Sequence, residues 1–275
     1  MPELPEVETV ARSLRPRIVG RTISAVWTSG LSLRRPVDRA GLRRACAGAR
    51  VERVERRGKY LVVALSSGRA LVCHLGMTGR LLVEPPGRPR APHTHVVFAL
   101  GAGADELRYV DPRRFGHLVA LPTAALDDSD ELGGLGVDPL SPAFTAAGLR
   151  EALAGSARAI KEALLDQRVL AGVGNIYACE ALFVAGISPR RKAGRLGPAR
   201  AEALHRAIAA VLQEAVARRG TSFSDYVDAD GQSGDNQHHL AVYGRQGAPC
   251  SRCQGPIRRI VQGGRSTFYC PRCQP

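Results

Sequence analysis

The spacing of four cysteines near the end of the chain constrains its fold more than any other feature. Cys250 and Cys253 form one Cys-x-x-Cys pair, and Cys270 and Cys273 form a second pair after sixteen intervening residues. Two such pairs at this separation are typical of a tetrahedral four-cysteine zinc site in a β-hairpin finger. Disulfides are the poorer interpretation in a reducing compartment. We therefore expect the tail to fold around one structural Zn²⁺, because so short a segment needs the metal to fold.

The rest of the chain changes its hydrophobic period near the middle. Residues 1–15 predict a short helix, and residues 22–121 contain short β-prone runs such as "YLVVAL" and "HVVFAL" between turn signals. Later segments such as "GPARAEALHRAIAAVLQEAVARRG" have helical periodicity. The predicted class is α+β: an N-terminal helix with an antiparallel β-sandwich, then a helical domain with a β-hairpin zinc finger. The predicted domains are 1–132 (sandwich), 133–145 (linker), 146–240 (helical) and 241–275 (finger).

The charge of the chain points to a polyanionic partner. Its 39 Lys and Arg against 25 Asp and Glu give a net charge of +14. A balance this basic favours nucleic acid, since each neutralised phosphate releases counterions, although a solvated basic surface is the alternative. We find neither a run of apolar residues long enough for a membrane span nor the pattern of a secretory signal, and we expect a cytoplasmic protein.

The opening "MPELPEVE" allows two interpretations. If Met1 is removed, Pro2 carries a free secondary amine, which is a nucleophile, and the carboxyl group of Glu3 lies next to it. The alternative is a helix started by proline, with acids in its first turn. On these residues alone, the helix start is the favoured interpretation.

Further motifs occur in a recognisable order. They are "PELPEVE" at 2–8, "RRGKY" at 56–60, "HLGMTG" at 74–79, "DPRRFG" at 111–116 and "LAGVGNIYA" at 170–178, followed by the four-cysteine finger. In this order they resemble the Fpg/Nei family of DNA glycosylases over essentially the whole chain. The start "PELPEV" resembles the formamidopyrimidine-DNA glycosylase branch more than the endonuclease VIII branch. The helical domain would then contain a helix–two-turn–helix element.

The resemblance implies a bifunctional DNA glycosylase and abasic-site lyase of base excision repair. It would excise oxidised purines, namely 8-oxoguanine and formamidopyrimidines, from double-stranded DNA. The nitrogen of Pro2 would attack C1′ of the damaged nucleotide, and Glu3 would move a proton to the sugar oxygen. The resulting imine would lead to β- and then δ-elimination. Such a protein would be bacterial and would associate with the nucleoid when bound to DNA.

The resemblance also assigns the remaining site residues. Lys59 and Arg265 complete the catalytic set with Pro2 and Glu3, and both would contact phosphate beside the lesion. Met77 and Phe115 would wedge into the gap left by the flipped nucleotide, and Arg113 would hydrogen-bond the orphaned cytosine. Placement of Met77 and Phe115 in the core is the alternative. The full predicted DNA-binding set is His74, Met77, His93, Arg113, Arg114, Phe115, Lys161 and Asn175.

The sequence also bears on the lesion cap, on alternative functions and on the oligomeric state. The segment 221–239 corresponds to the family's lesion cap, with backbone amides of 221–228 facing the base. Activity of the endonuclease VIII type on oxidised pyrimidines, or a non-catalytic protein that binds damaged DNA, are the alternatives to the leading hypothesis. No oligomerisation motif is visible in the sequence, so we expect a monomer.

Overall fold

The chain divides by its contacts into two units. The computed structural model describes residues 1–101, 103–223 and 226–275. The first unit comprises 1–134 and 218–235, and the second comprises 135–217 and 236–275. The stretch 218–235, which the sequence placed in the helical domain, therefore has its contacts in the first unit. The predicted linear boundaries remain a prediction.

Two four-stranded antiparallel sheets form the body of the first unit. Their strands are β1 (Ala25–Thr28), β2 (Val51–Arg57), β3 (Tyr60–Leu65), β4 (Arg69–His74), β5 (Arg80–Glu84), β6 (Thr94–Ala99), β7 (Glu106–Val110) and β8 (His117–Pro122). One sheet has the strand order β2-β3-β4-β8, and the other has the order β1-β6-β7-β5. The connections from β4 to β5 and from β7 to β8 therefore cross from one sheet to the other.

The N-terminal helix α1 (Leu4–Ile18) packs on the core of this unit. Val7, Leu14 and Ile18 lie on one helical face and are completely buried. The helix runs past the predicted end at residue 15, although Pro16 lies in its last turn. Burial of Ile18 offsets the weak propensity of this turn, because apolar burial outweighs local propensity.

A second helix, α2 (Arg39–Cys46), lies where the sequence predicted only β-prone runs. Its first turn is capped by Asp38, whose side chain accepts a hydrogen bond from the Gly41 amide at 2.8 Å. Leu42 and Cys46 on its inner face are buried. The β-rich expectation does not hold for this segment, because a capped apolar face stabilises a helix.

The second unit contains the predicted helices and hairpin. Its elements are α3 (Ala146–Leu153), α4 (Ile160–Leu164), α5 (Asn175–Val184), α6 (Pro198–Ala217), β9 (Arg258–Gln262) and β10 (Arg265–Tyr269). Strands β9 and β10 pair in an antiparallel hairpin around Gly263 and Gly264, both of which have positive φ. The predicted α+β class, with helix, sandwich, helical domain and finger hairpin, is confirmed. Among the described residues, no helix has the length and apolar character needed to cross a bilayer.

The fold of the first unit requires a glycine at position 116. A Cβ added there would overlap the hydroxyl of the fully buried Tyr109 and would approach the carbonyl oxygen of His74 to 2.7 Å. By contrast, a Cβ on Gly134 would meet no described atom within 4 Å.

We expect Gly116→Ala to lower the free energy of unfolding of the first unit by about 1–3 kcal/mol, because added volume in a packed site forces displacement. Gly134→Ala is the matched control and should change it by less than about 0.5 kcal/mol. Urea unfolding followed by the fluorescence of Trp27, the single tryptophan of the chain, measures this unit. Equal stability of the two variants would contradict the close packing at Gly116.

Candidate nucleic-acid interface and metal centre

Sheet order brings several predicted site residues to one end of the first unit. Tyr60 pairs with His74 and His74 with His117, so the start of β3, the end of β4 and the start of β8 lie side by side. Lys59, which precedes β3, is therefore located at the same end as two connections. We call these the Met77 turn (residues 75–79) and the Arg113 loop (residues 111–116).

The tips of these two connections expose the predicted wedge residues. Met77 is 42% exposed and Phe115 is 46% exposed. The Arg113 guanidinium carbon lies 4.7 Å from the centre of the Phe115 ring, in cation–π contact. The structure therefore places Met77 and Phe115 at the surface and not in the core. Their contact with DNA remains a prediction.

The base of both connections is a hydrogen-bonded cluster around Asp111, which is completely buried. One carboxylate oxygen of Asp111 accepts a bond from the Thr78 hydroxyl at 2.6 Å, and the other accepts one from the Gly116 amide at 2.8 Å. The hydroxyl of Tyr109 lies 3.5 Å from the second oxygen and 3.3 Å from the carbonyl oxygen of His74. Sequence reasoning quoted "DPRRFG" and "HLGMTG" but assigned no role to Asp111 or Thr78. The signal available was an acid at the end of a strand, directly before a proline.

The N-terminus of α1 holds Pro2 and Glu3 in the fold. Both are buried, whereas Met1 is 53% exposed. The Glu3 amide donates to one oxygen of Glu6 at 2.8 Å, and the Thr221 amide donates to the other at 2.7 Å. Of the predicted cap segment 221–239, Ser224 and Asp225 lie outside the described residues.

At this end of the unit, burial and nearby positive charges lower the pKa of His74. The Gly76 amide donates to His74 Nδ1 at 2.9 Å, so the proton of the neutral ring is on Nε2. Burial lowers the pKa of His74 to about 4, and the positive charges of Lys59, Arg34 and the chain's amino terminus contribute to the same shift. The positive charges of Lys59 and of the Met1 amine therefore both disfavour the charged form of the His74 ring. His74 can donate a hydrogen bond without carrying charge.

Two other predicted contacts lie on the connections near this end. His93 and Arg114 are both exposed, and both have the left-handed backbone conformation, with φ of 63° and 56°. The Asp111 amide donates to the His93 carbonyl oxygen at 3.0 Å, which attaches His93 to the Arg113 loop. Non-glycine residues in this conformation are uncommon and are often found at functional sites.

In the second unit, the predicted residues have different surroundings. Asn175 is the first residue of α5, and its side-chain amide donates to the Ser266 carbonyl oxygen of β10 at 2.9 Å. Arg265 is exposed at the first position of β10, beside the hairpin tip. Lys161 on α4 has no exposed surface. A direct contact of Lys161 with DNA therefore lacks support from its exposure, and the roles of the other two residues remain predictions.

The four predicted metal ligands come together in the second unit. The sulfur atoms of Cys250, Cys253, Cys270 and Cys273 all lie within 4.8 Å of one another. The Cys250–Cys273 and Cys253–Cys270 sulfur distances are 3.9 Å and 3.5 Å. Tetrahedral zinc with bonds of about 2.3 Å separates its sulfur ligands by about 3.8 Å. The cluster therefore fits one structural zinc ion, as predicted.

Comparison with known proteins gives matches along the whole chain. Residues 1–118 match the formamidopyrimidine-DNA glycosylase N-terminal domain family, 135–227 its H2TH domain, and 247–275 the zinc finger found in FPG and IleRS. Formamidopyrimidine-DNA glycosylase of Moorella thermoacetica is 50% identical over 260 residues, which are 94% of each chain. The crystal structure of the MutM (Fpg) protein of Thermus thermophilus superposes with a TM-score of 0.88 at 44% identity, over 99% of this chain and 98% of that one. The Lactococcus lactis Fpg in complex with DNA containing an abasic site gives a TM-score of 0.91 at 35% identity, over 99% of each chain.

We expect Cys253→Ser to reduce bound zinc from about one ion per chain to nearly none, because a hydroxyl does not replace a thiolate ligand. Elemental analysis after gel filtration measures the metal. Cys46→Ala is the matched control, since Cys46 is a buried free thiol of the first unit. Full zinc content in Cys253→Ser would contradict the assignment of this ligand.

We also expect the His74 imidazole to remain neutral above about pH 5, with its proton on Nε2. NMR titration of the ring carbon and nitrogen signals measures both the pKa and the tautomer. The expected midpoint is about 4. A midpoint near the ordinary value of 6.5, or a proton on Nδ1, would contradict the geometry at Gly76.

Proposed function

The chain belongs to the formamidopyrimidine-DNA glycosylase family, and we propose that it excises oxidised purines from duplex DNA and then cleaves the strand at the abasic site. The substrates would be 8-oxoguanine and formamidopyrimidines. Support comes from the comparisons and from the net charge of +14, which favours binding of a polyanion.

One observation carries the proposal further than family membership does. Lys59 lies directly before β3, Pro2 and Glu3 lie at the start of α1 in the same unit, and the Met77 turn and the Arg113 loop begin at the end of the sheets where β3 starts. The proposed nucleophile Pro2, the proposed phosphate contact Lys59 and the proposed wedge side chains would therefore belong to one unit. A flipped nucleotide needs these three groups near each other.

The first chemical step is proposed at the sugar. Removal of Met1 exposes the secondary amine of Pro2, whose nitrogen attacks C1′ while the bond from C1′ to the base nitrogen breaks. The Pro2 nitrogen loses its own proton after the attack, and the departing base gains one, so the two transfers balance. Glu3 supplies a proton to the ring oxygen as the sugar opens, and a cationic imine then joins Pro2 to C1′.

The imine makes strand cleavage possible because it withdraws electrons. Loss of a proton from C2′ expels the 3′ phosphate, and a second elimination expels the 5′ phosphate. Lys59, which is 7% exposed, and the exposed Arg265 would stabilise these phosphates as they leave. His74 would bind a neighbouring phosphate through its Nε2 proton.

Filling the gap in the duplex is the role we propose for the exposed tips. Unstacking and unpairing a nucleotide costs a few kcal/mol, and apolar wedges offset part of that cost. Met77 and Phe115 supply the wedges. Arg113 supplies donors for the acceptors of an orphaned cytosine.

Borohydride trapping tests the proposed intermediate. We expect a covalent adduct on the amine of Pro2 when the protein, a duplex with 8-oxoguanine opposite cytosine, and borohydride are combined, because reduction fixes the imine. Mass spectrometry of the N-terminal peptide locates the adduct and shows whether Met1 is present. With correctly processed protein, absence of the adduct would contradict the mechanism and would favour the damage-binding alternative.

Glu3→Gln serves as the matched variant in the same assay. Base excision should slow by roughly 10²–10⁴-fold, the usual range for a lost general acid. Trapping on a duplex that already contains an abasic aldehyde should persist, because its sugar ring is already open and needs no proton from Glu3. A parallel duplex with an oxidised pyrimidine separates the proposed substrate class from that of endonuclease VIII.

A further inference from the structure

The two exposed connections of the first unit share a side-chain link between their central parts. Thr78 lies in the Met77 turn next to Met77 and is only 6% exposed. Its hydroxyl donates to an Asp111 carboxylate oxygen at 2.6 Å and accepts a bond from the Arg113 amide at 3.2 Å. The hydroxyl therefore connects the turn that presents Met77 to the backbone that presents Arg113.

Other bonds hold the ends of the Arg113 loop without Thr78. The Gly116 amide binds Asp111, the Arg114 amide donates to the Asp111 carbonyl oxygen at 3.2 Å, and His95 Nε2 lies 3.0 Å from the same carbonyl oxygen. Loss of the Thr78 hydroxyl would leave these contacts in place. It would remove the bond that fixes the Arg113 amide, together with one donor to the buried carboxylate.

We propose that Thr78 is a positioning residue that sets Arg113 relative to Met77, and thereby sets the preference for the base opposite the lesion. The inference rests on the proposed function, in which Met77 fills the gap and Arg113 contacts the orphaned base. Discrimination between bases depends on where donors stand relative to acceptors, and it is lost when a donor moves. Because Thr78 is only 6% exposed, it would itself touch neither base nor sugar.

Two substitutions of Thr78 separate its hydrogen-bonding role from a packing role. Thr78→Val keeps the volume and the branched shape but removes the hydroxyl, whereas Thr78→Ser keeps the hydroxyl and loses a methyl group. A packing role would be disturbed by serine and preserved by valine. A hydrogen-bonding role predicts the reverse order.

The test compares single-turnover excision of 8-oxoguanine opposite cytosine and opposite adenine. We expect Thr78→Val to reduce the cytosine-to-adenine rate ratio by about tenfold, the usual effect of unpairing one buried polar group. Thr78→Ser should keep the wild-type ratio. Thr9→Val removes another buried hydroxyl, one that donates to the Pro5 carbonyl oxygen within α1, and should also keep the ratio.

Two further measurements keep this inference separable from the proposed function. Hydrogen exchange of the Arg113 amide in free protein should be faster in Thr78→Val than in wild type and Thr78→Ser. Borohydride trapping on a preformed abasic site should be equal in all variants. Failure of wild-type trapping would contradict the proposed function alone, since amide exchange still tests the link. An unchanged rate ratio and unchanged exchange in Thr78→Val would overturn the positioning role.

Discussion

The hydrogen bonds to the buried carboxylate of Asp111 hold together the end of the first unit where the Met77 turn and the Arg113 loop begin. An ionised group out of contact with water is costly unless donors surround it, and here Thr78 and Gly116 supply two short bonds. Burial raises the pKa of Tyr109, so its hydroxyl keeps its proton and remains a donor. Thr78 and Gly116 lie in the connections from β4 to β5 and from β7 to β8, which cross between the sheets, and Tyr109 is in β7 just before the second of these connections. Satisfying one carboxylate therefore fixes both crossings, and the exposed side chains of Met77 and Arg113 can be rigidly placed although they have little packing of their own.

Positive charges also act on His74, next to the Asp111 cluster, and the structure avoids adding a further charge there. The positive charges of Lys59, Arg34 and the Met1 amine all lower the pKa of His74, because they would repel a charged imidazole. Burial and the Gly76 bond instead keep the ring neutral, with a single donor proton on Nε2. A phosphate would thus find cations and an uncharged donor together. The protein gains one hydrogen-bonding group there without the self-repulsion of one more charge.

The sequence predicts the features that depend on neighbouring residues better than those that depend on contacts between distant residues. The apolar runs that form β3 and β6 and the cysteine spacing of the finger are local signals, and the structure has strands at the first two and a cluster of four cysteines at the third. Helix α2 was missed because its cap and buried face are weak signals inside a β-rich region. Motif resemblance pointed to the exposed tips, but not to Thr78 or Asp111. Their contact follows from sheet order, which brings positions 78 and 111 together although they are 33 positions apart in the sequence.

Residues 218–235 belong to the first unit because of another contact between residues that are distant in the sequence. Glu6 binds the Glu3 amide with one oxygen and the Thr221 amide with the other, so a single carboxylate holds the N-terminus of α1 and the start of the segment predicted to be the lesion cap. Gly220 is confined as well, because a Cβ there would lie 2.8 Å from a Glu6 oxygen. If the proposed function holds, the predicted cap segment and Glu3, which protonates the sugar, are both held by the carboxylate of Glu6. Displacement of either would shift the other, so sequence changes in this segment should affect chemistry at Glu3 as well as the choice of lesion.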